Sequence, residues 1–247
     1  MGELLLGGLI GFLIGAPLGA LFRPPLARLE KTARRVWRQP AVKVHVERDP
    51  TVIWADAPDW VGFSLYFRHP LTLPAAPAQR DSWLAWGRQA GGLDAYTTML
   101  SVTLQADAQT SVVIEELRVL HSARPVTDGL VLIRGVGGAD LTPRRVHVDL
   151  DSPDGPGVTF HGPGGAPEPA PKFVLGPGDI ERFHIWAEAR TGWHEWTVDL
   201  LLLVDGRREV VTIDDFGGPF VTVGGDGLPQ RMNLAGTSEW TVWPDGA

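Results

Sequence analysis

The segment DLDSPDG places three carboxylates, those of Asp149, Asp151 and Asp154, close to a glycine. Carboxylates spaced in this way before a glycine are typical of calcium-binding loops. Pro153, however, occupies a position where such a loop needs an oxygen ligand, and Phe160 occupies the position of its bidentate glutamate. We therefore interpret the segment as a solvated turn at the end of a strand.

Three further patterns resemble catalytic or ligand-binding motifs and fall short of them. RGVGGAD begins like a dinucleotide-binding fingerprint, but Asp140 stands at its last glycine position and no helix is predicted to follow. The closest histidines along the chain, His184 and His194, flank a predicted turn without a third metal ligand. Asp214 and Asp215 end a predicted strand, where turn chemistry explains them better than glycoside hydrolysis does. We predict no catalytic residue, cofactor or metal.

Ten tryptophans are the other residues that could form a site. Buried, they would fill a core, which is where large aromatic side chains usually lie. Exposed, they could bind a peptide or a sugar. Trp186 has the parity of an outward-facing residue in its strand, and Trp193 lies in the neighbouring loop RTGWHEW. Trp186 and Trp193 are therefore the candidate partner-binding aromatic residues.

The elements that would position these residues are predicted to be mostly strands. LSVTLQA alternates apolar and polar residues, and SVVIEELRVL follows after a turn-like DAQT, which predicts an antiparallel hairpin. WTVDLLLLVDGRREVVTID predicts a second hairpin around a two-residue Asp205–Gly206 turn. That turn sets Val198 opposite Ile213 and Leu200 opposite Val211.

One helix is predicted in DSWLAWGRQAGG, with Asp81 or Ser82 as its N-cap and two glycines as its stop. Short strands separated by Gly, Pro and Asp turns favour a sandwich. The predicted fold is therefore mainly β: an antiparallel immunoglobulin-like β-sandwich over residues 41–247, with one short helix near 81–90.

The N-terminal region predicts a membrane anchor. Leu4–Phe22 contains nineteen residues without a charge, enough for a helix that crosses a bilayer. A cleavable signal peptide and a buried soluble helix are the alternatives, but the segment before the run lacks a basic side chain. We predict a transmembrane helix within residues 1–22. Its regularly spaced glycines would let another membrane helix, or a second copy, pack closely: Gly7, Gly11, Gly15 and Gly19.

Residues 23–40 predict a basic amphipathic helix beside that anchor. Its apolar residues recur at helical spacing. Its basic residues would bind the anionic surface of the bilayer: Arg23, Arg28, Lys31, Arg34, Arg35 and Arg38. The alternative is a short helix that packs on the domain or on a partner, with these charges solvated. Because basic residues stay on the cytoplasmic side, the expected topology is a single-pass cell-membrane protein with its body in the cytoplasm.

The charge of the body constrains its partners. Residues 44–247 carry a net charge of −12, since 27 acidic residues face 15 basic ones. Such a surface repels phosphate backbones, so nucleic acid is not an expected partner. The chain also contains no cysteine, which excludes disulfides and thiol catalysis.

Three stretches of the body carry a resemblance: TTMLSVTLQADAQTSVVIEELRV, TPRRVHVDLDSP and DGRREVVTIDDFGGPF. Together with the apolar N-terminus they resemble a loose group of single-pass, β-rich, membrane-anchored proteins of high-GC bacteria. The resemblance implies the architecture, and it implies no activity and no site residue.

The expected function is that of a non-enzymatic, membrane-anchored binding or scaffold protein with an unknown protein partner. Two alternatives stay open. An exported or surface-facing sandwich could bind carbohydrate or peptide, and a row of exposed aromatic residues would favour it. A hydrolase could assemble its carboxylates from separate strands, and a deep pocket would favour that function.

Overall fold

The structure is a computed structural model. It describes residues 41–53, 64–70, 73–77, 79, 82–134, 144–162, 165–169, 173–233 and 240–242. All of its strands and helices belong to one compact unit, Val42–Ala247. The helices are α1 (Pro50–Ile53) and α2 (Trp83–Gln89). The strands are β1 (Val42–Glu47), β2 (Ser64–Phe67), β3 (Leu93–Ala95), β4 (Thr97–Ala106), β5 (Val112–Arg124), β6 (Leu130–Arg134), β7 (Arg145–Asp149), β8 (Gly157–His161), β9 (Pro167–Glu168), β10 (Phe173–Leu175), β11 (Ile180–Glu188), β12 (Trp193–Val204), β13 (Arg207–Ile213), β14 (Phe220–Val223), β15 (Gln230–Asn233) and β16 (Thr241–Val242).

The strands form two sheets, and the protein is mainly β, consistent with a β-sandwich. Sheet A has the order β1-β4-β11-β7-β8-β9. Sheet B has the order β10-β5-β12-β14-β3-β2-β6-β15-β16, and β13 also pairs with β12. Three of the described pairings are parallel, namely β7 with β11, β3 with β14 and β6 with β15. The antiparallel prediction is therefore right for most pairings and wrong for these three.

The chain changes sheets at Tyr96. Leu93–Ala95 pairs in sheet B, whereas Thr97–Ala106 pairs in sheet A. Tyr96, between them, has a φ of 64°, a left-handed backbone that produces the necessary bend. The two sheets also meet through their side chains, because the hydroxyls of Thr98 and Thr222 are hydrogen-bonded at 2.7 Å.

The hairpin predicted around Asp205–Gly206 is confirmed. Val198 faces Ile213 and Leu200 faces Val211, as the two-residue turn requires. Asp205 and Gly206 both have positive φ, 48° and 77°, which matches the right-handed twist of the flanking strands.

The hairpin predicted between LSVTLQA and SVVIEELRVL is wrong. β4 pairs with β1 and β11 in sheet A, whereas β5 pairs with β10 and β12 in sheet B. The DAQT turn therefore carries the chain from one sheet to the other. Alternation identified both strands correctly, but it contains no information about which partner each strand takes.

The predicted helix is present as α2, and it packs on sheet B against β2 and β6. Trp83 is buried and stacks on Trp86, with ring centroids 5.0 Å apart. Trp83 contacts a cluster that includes Leu65 and Phe67 of β2. Ser82 occupies the N-cap position, as one of the two predicted alternatives has it, but its side chain makes no capping hydrogen bond.

Several predictions lie outside the described residues. They concern the transmembrane segment 1–22 with its four glycines, the basic helix 23–40, Asp81 and the RGVGGAD motif after its first residue, Arg134. Within the ranges given above, none of the helices has both the length and the apolar character that crossing a bilayer requires.

Candidate functional site

Trp186 lies on sheet A, on the face that points away from the buried strand residues. It pairs with His147 of β7, and the guanidinium of Arg145 lies 4.9 Å from the centre of its ring. The side chain is half-buried, and its indole N–H meets no acceptor among the described residues. The predicted outward parity is right, but Arg145 covers part of the ring.

Trp193 lies at the start of β12, in sheet B. Its ring packs edge-on against Tyr66 at a centroid distance of 6.2 Å, and the guanidinium of Arg124 lies 4.1 Å from its centre. Its indole N–H donates to Glu195 at 3.0 Å. Trp186 and Trp193 are in different sheets, so they are two separate half-buried contacts and do not form a common platform.

The turn between β11 and β12 is held by Asp151. Its carboxylate accepts hydrogen bonds from the backbone N–H of Arg190 and, at 3.0 Å, from the Thr191 hydroxyl. The segment that resembled a calcium loop thus contributes an acceptor that fixes a neighbouring turn. Gly224 lets this turn approach closely, because a Cβ at that position would overlap the backbone of Thr191.

Two histidines meet beneath this turn. His194 is 4% exposed, and its Nε2 lies 2.6 Å from the Thr191 carbonyl, which can only accept a hydrogen bond. In the neutral ring Nδ1 then accepts from Nε2–H of His121, at 2.8 Å. Burial, and then the neighbouring His194, lower the pKa of His121 below its usual value.

An open cleft of about 420 Å³ lies next to the histidine pair. It is lined by Ala123, Arg124, Pro125, Val126, Thr191, Gly192, His194 and Asp226. Asp226 is paired with Arg190 at 3.2 Å, and no carboxylate pairs with Arg124 among the described residues. The cleft therefore presents apolar surface beside one cation. The single carboxylate in its lining already has a partner, so the cleft has the character of a binding surface.

The sequence predictions missed Phe216, which lies at the tip of the turn between β13 and β14. The side chain is 99% exposed and the backbone has a φ of 53°, which is unusual for a bulky residue. Gly217 continues the turn with a φ of 92°, and its N–H donates to the Asp214 carboxylate at 3.0 Å. The DFGG sequence was the available signal, because an aromatic residue inside a run of turn-forming residues is expected in the connection between two strands rather than in a strand.

The carboxylate pair and the histidine pair considered in the sequence analysis do not form sites in the described part of the chain. Asp215 forms an ion pair with Arg48, so it does not act with Asp214 as a pair of converging carboxylates. His184 and His194 lie in different sheets. Across the described ranges, no three His, Cys, Asp or Glu side chains are arranged to hold a metal ion.

Comparisons with protein-family models, with curated proteins and with solved structures found no match.

Proposed function

We propose that the chain is a membrane-anchored, non-enzymatic binding or scaffold protein whose β-rich domain, an immunoglobulin-like sandwich, binds a polypeptide at the cleft beside Trp193. The observation that carries the proposal is the cleft itself. It combines apolar lining from Pro125 and Val126 with the cation of Arg124, which is stacked on a half-buried tryptophan. Arginine and tryptophan are among the residues that most often dominate protein–protein binding, and here Trp193 supports the Arg124 that lines the cleft.

The rigidity of the surrounding turn supports this function. Asp151 fixes Arg190 and Thr191, and the backbone N–H of Gly224 donates to the carbonyl of Gly192 at 2.7 Å. A pre-ordered surface loses little conformational freedom when a partner binds, so more of the contact energy appears as affinity.

The absence of cysteine makes the binding test direct. Val126→Cys, in the full chain, is labelled with a benzophenone maleimide in membrane vesicles and irradiated. Asp205→Cys, at an exposed turn of the hairpin, is the matched control. We expect polypeptide adducts from position 126 and none above background from position 205. Equal labelling at both positions would contradict a cleft-based function.

The membrane anchor is tested separately. A single cysteine is placed at Gly2 or at Gly246, and intact cells are treated with a membrane-impermeant maleimide. Labelling only at Gly2 is expected for a body in the cytoplasm. Labelling only at Gly246 would reverse the topology and favour an extracellular peptide- or carbohydrate-binding function.

A further inference from the structure

The conformation of Phe216 does not contribute to the stability of its own domain. A left-handed backbone is unfavourable for a residue with a Cβ, and the exposed ring gains nothing from burial within the domain. Strained residues that persist on a well-defined scaffold occur most often at functional sites. The turn is well defined, because Asp215 and Gly218 exchange two backbone hydrogen bonds of 2.8 and 3.1 Å. The ring therefore has a well-defined position on the surface, where a partner can contact it.

The cleft of the same chain is chemically suited to bind a phenylalanine ring. The cleft holds about 420 Å³, and the small or apolar part of its lining includes Ala123, Pro125 and Val126. A phenylalanine ring buried there would recover the hydrophobic free energy that it lacks in the single domain. The cleft and Phe216 lie at opposite ends of β14, so one copy cannot fill its own cleft with its own turn.

The charges next to each feature are complementary. Asp214 flanks Phe216 and has no basic partner among the described residues, although its carboxylate accepts the Gly217 N–H. Arg124 flanks the cleft without a carboxylate partner in the same ranges, and it is held in place by Trp193. Opposite charges beside an apolar anchor fix the orientation of docking. Asp214 and Asp215, next to Phe216, also disfavour insertion of the turn into an anionic bilayer.

We propose that the Phe216 turn of one copy docks into the cleft of a second copy. The proposal rests on the proposed binding function of the cleft and names its occupant. The contact is head-to-tail, since each copy offers its turn to one neighbour and its cleft to another. Such contacts continue into rows or close into rings. This arrangement suits a scaffold.

The test uses two copies of the full chain with different tags, expressed together in membranes. One copy carries Ala123→Cys in the cleft, and the other carries Pro219→Cys beside the turn, so that Phe216 itself is kept. Oxidation with copper phenanthroline is expected to join the two tags. Replacing Pro219→Cys by Asp205→Cys gives the matched control, from which no mixed adduct is expected.

Phe216→Ala, added to the Pro219→Cys copy, is expected to lower the yield of mixed adduct by about tenfold, the factor that corresponds to losing one buried aromatic contact. No mixed adduct, an equal yield from position 205, or a yield unaffected by Phe216→Ala would each overturn self-docking. If position 126 nevertheless photo-cross-links to other polypeptides, the proposed function stands and only its occupant is wrong.

Lipid is the other possible occupant of the turn, and a fluorophore on Pro219→Cys distinguishes it. The full chain is reconstituted in anionic vesicles at one copy per vesicle and at high copy density. An apolar emission shift that appears only at high density supports docking between copies. A shift of equal size at one copy per vesicle would assign the turn to the bilayer and overturn the proposal.

Discussion

Phe216 separates stability from binding at the level of a single residue. Its φ of 53° is a conformation that glycine adopts without a steric penalty. We expect Phe216→Gly to stabilise the domain by about 1 kcal/mol while weakening the docking of copies. Phe216→Ala should weaken docking equally without that gain, because alanine keeps the Cβ penalty. Denaturant unfolding of the full chain in detergent, followed by tryptophan fluorescence, measures the difference. A loss of stability in Phe216→Gly would show that the ring packs within its own domain.

His184 makes the stability of the domain depend on pH. The side chain is 5% exposed, and burial, followed by the cations Arg182 and Arg145, lowers its pKa to about 4. An unfolded histidine binds its proton near pH 6.5, so the unfolded state gains protons first as the pH falls. The contribution of His184 to stability is therefore constant above pH 6.5 and is lost progressively between pH 6.5 and pH 4.

His184→Gln tests this pH dependence. Compared with the native chain, the variant should escape a loss of about 2–3 kcal/mol between pH 7 and pH 4.5, measured as the difference in the free energy of unfolding. His147→Gln is the control, because His147 is only partly buried and lies 2.9 Å from Glu188. If both variants follow the native chain across this range, His184 is not the group responsible.

At the residue scale, sequence patterns predict on which face of a strand a side chain lies, but they do not predict which other side chains surround it. The alternation around Trp186 correctly placed it on the face opposite to the buried Phe183 and Ile185. The arginines that stack on Trp186 and Trp193 come from other strands, β7 and β5 respectively. A contact of this kind depends on which strands become neighbours, and the local sequence does not specify that.

At the scale of elements, local interactions decide what could be predicted. The Asp205–Gly206 hairpin was predicted to the residue because two positive-φ positions and a continuous apolar pattern fix its register. The sequence between β4 and β5 also resembles a hairpin turn, but it joins a strand of sheet A to a strand of sheet B. The bend at Tyr96 was not predictable either, since its left-handed backbone follows from the packing of both sheets and not from the properties of tyrosine.

The β11–β12 turn should be sensitive to a single added carbon. A Cβ on Gly224 would overlap the backbone of residues 190–191, and backbone cannot move aside as a flexible side chain can. We expect Gly224→Ala to destabilise the domain by at least about 2 kcal/mol and to lower cleft labelling at position 126. Gly157→Ala is the control, because its Cβ would meet neighbours only at 3.6 Å or more. Unfolding midpoints that match between the two variants would show that the turn relaxes freely.

At the scale of the whole molecule, an ionic network ties distant parts of the chain together. Asp94 of β3 is 7% exposed and pairs with Arg88 of α2 and, at 3.6 Å, with Arg48 after β1. Arg48 also pairs with Asp215, next to the Phe216 turn. Three segments that are far apart in sequence thus share one partly buried charge cluster.

Removing the central carboxylate should therefore be costly. Asp94→Asn would leave Arg88 facing an uncharged amide and Arg48 with Asp215 as its remaining carboxylate, and we expect a loss of about 2 kcal/mol in the free energy of unfolding. Asp128→Asn, in an exposed pair whose charged atoms are 4.0 Å apart, should cost less than about 0.5 kcal/mol. The two variants are compared by chemical denaturation at the same pH. A small effect of Asp94→Asn would mean that water replaces the carboxylate as a hydrogen-bond partner of the arginines.

The parallel pairing of β6 with β15 has a consequence for the synthesis of the chain. Val131 lies opposite Gln230, so about 100 residues must be added before this pair can form. Ribosomes add roughly 5–20 residues per second, which leaves that edge of β6 without its partner for about 5–20 seconds. β6 is largely apolar and nearly fully buried in the finished domain. During that interval the nascent chain presents an aggregation-prone strand edge, the kind of surface that general chaperones cover.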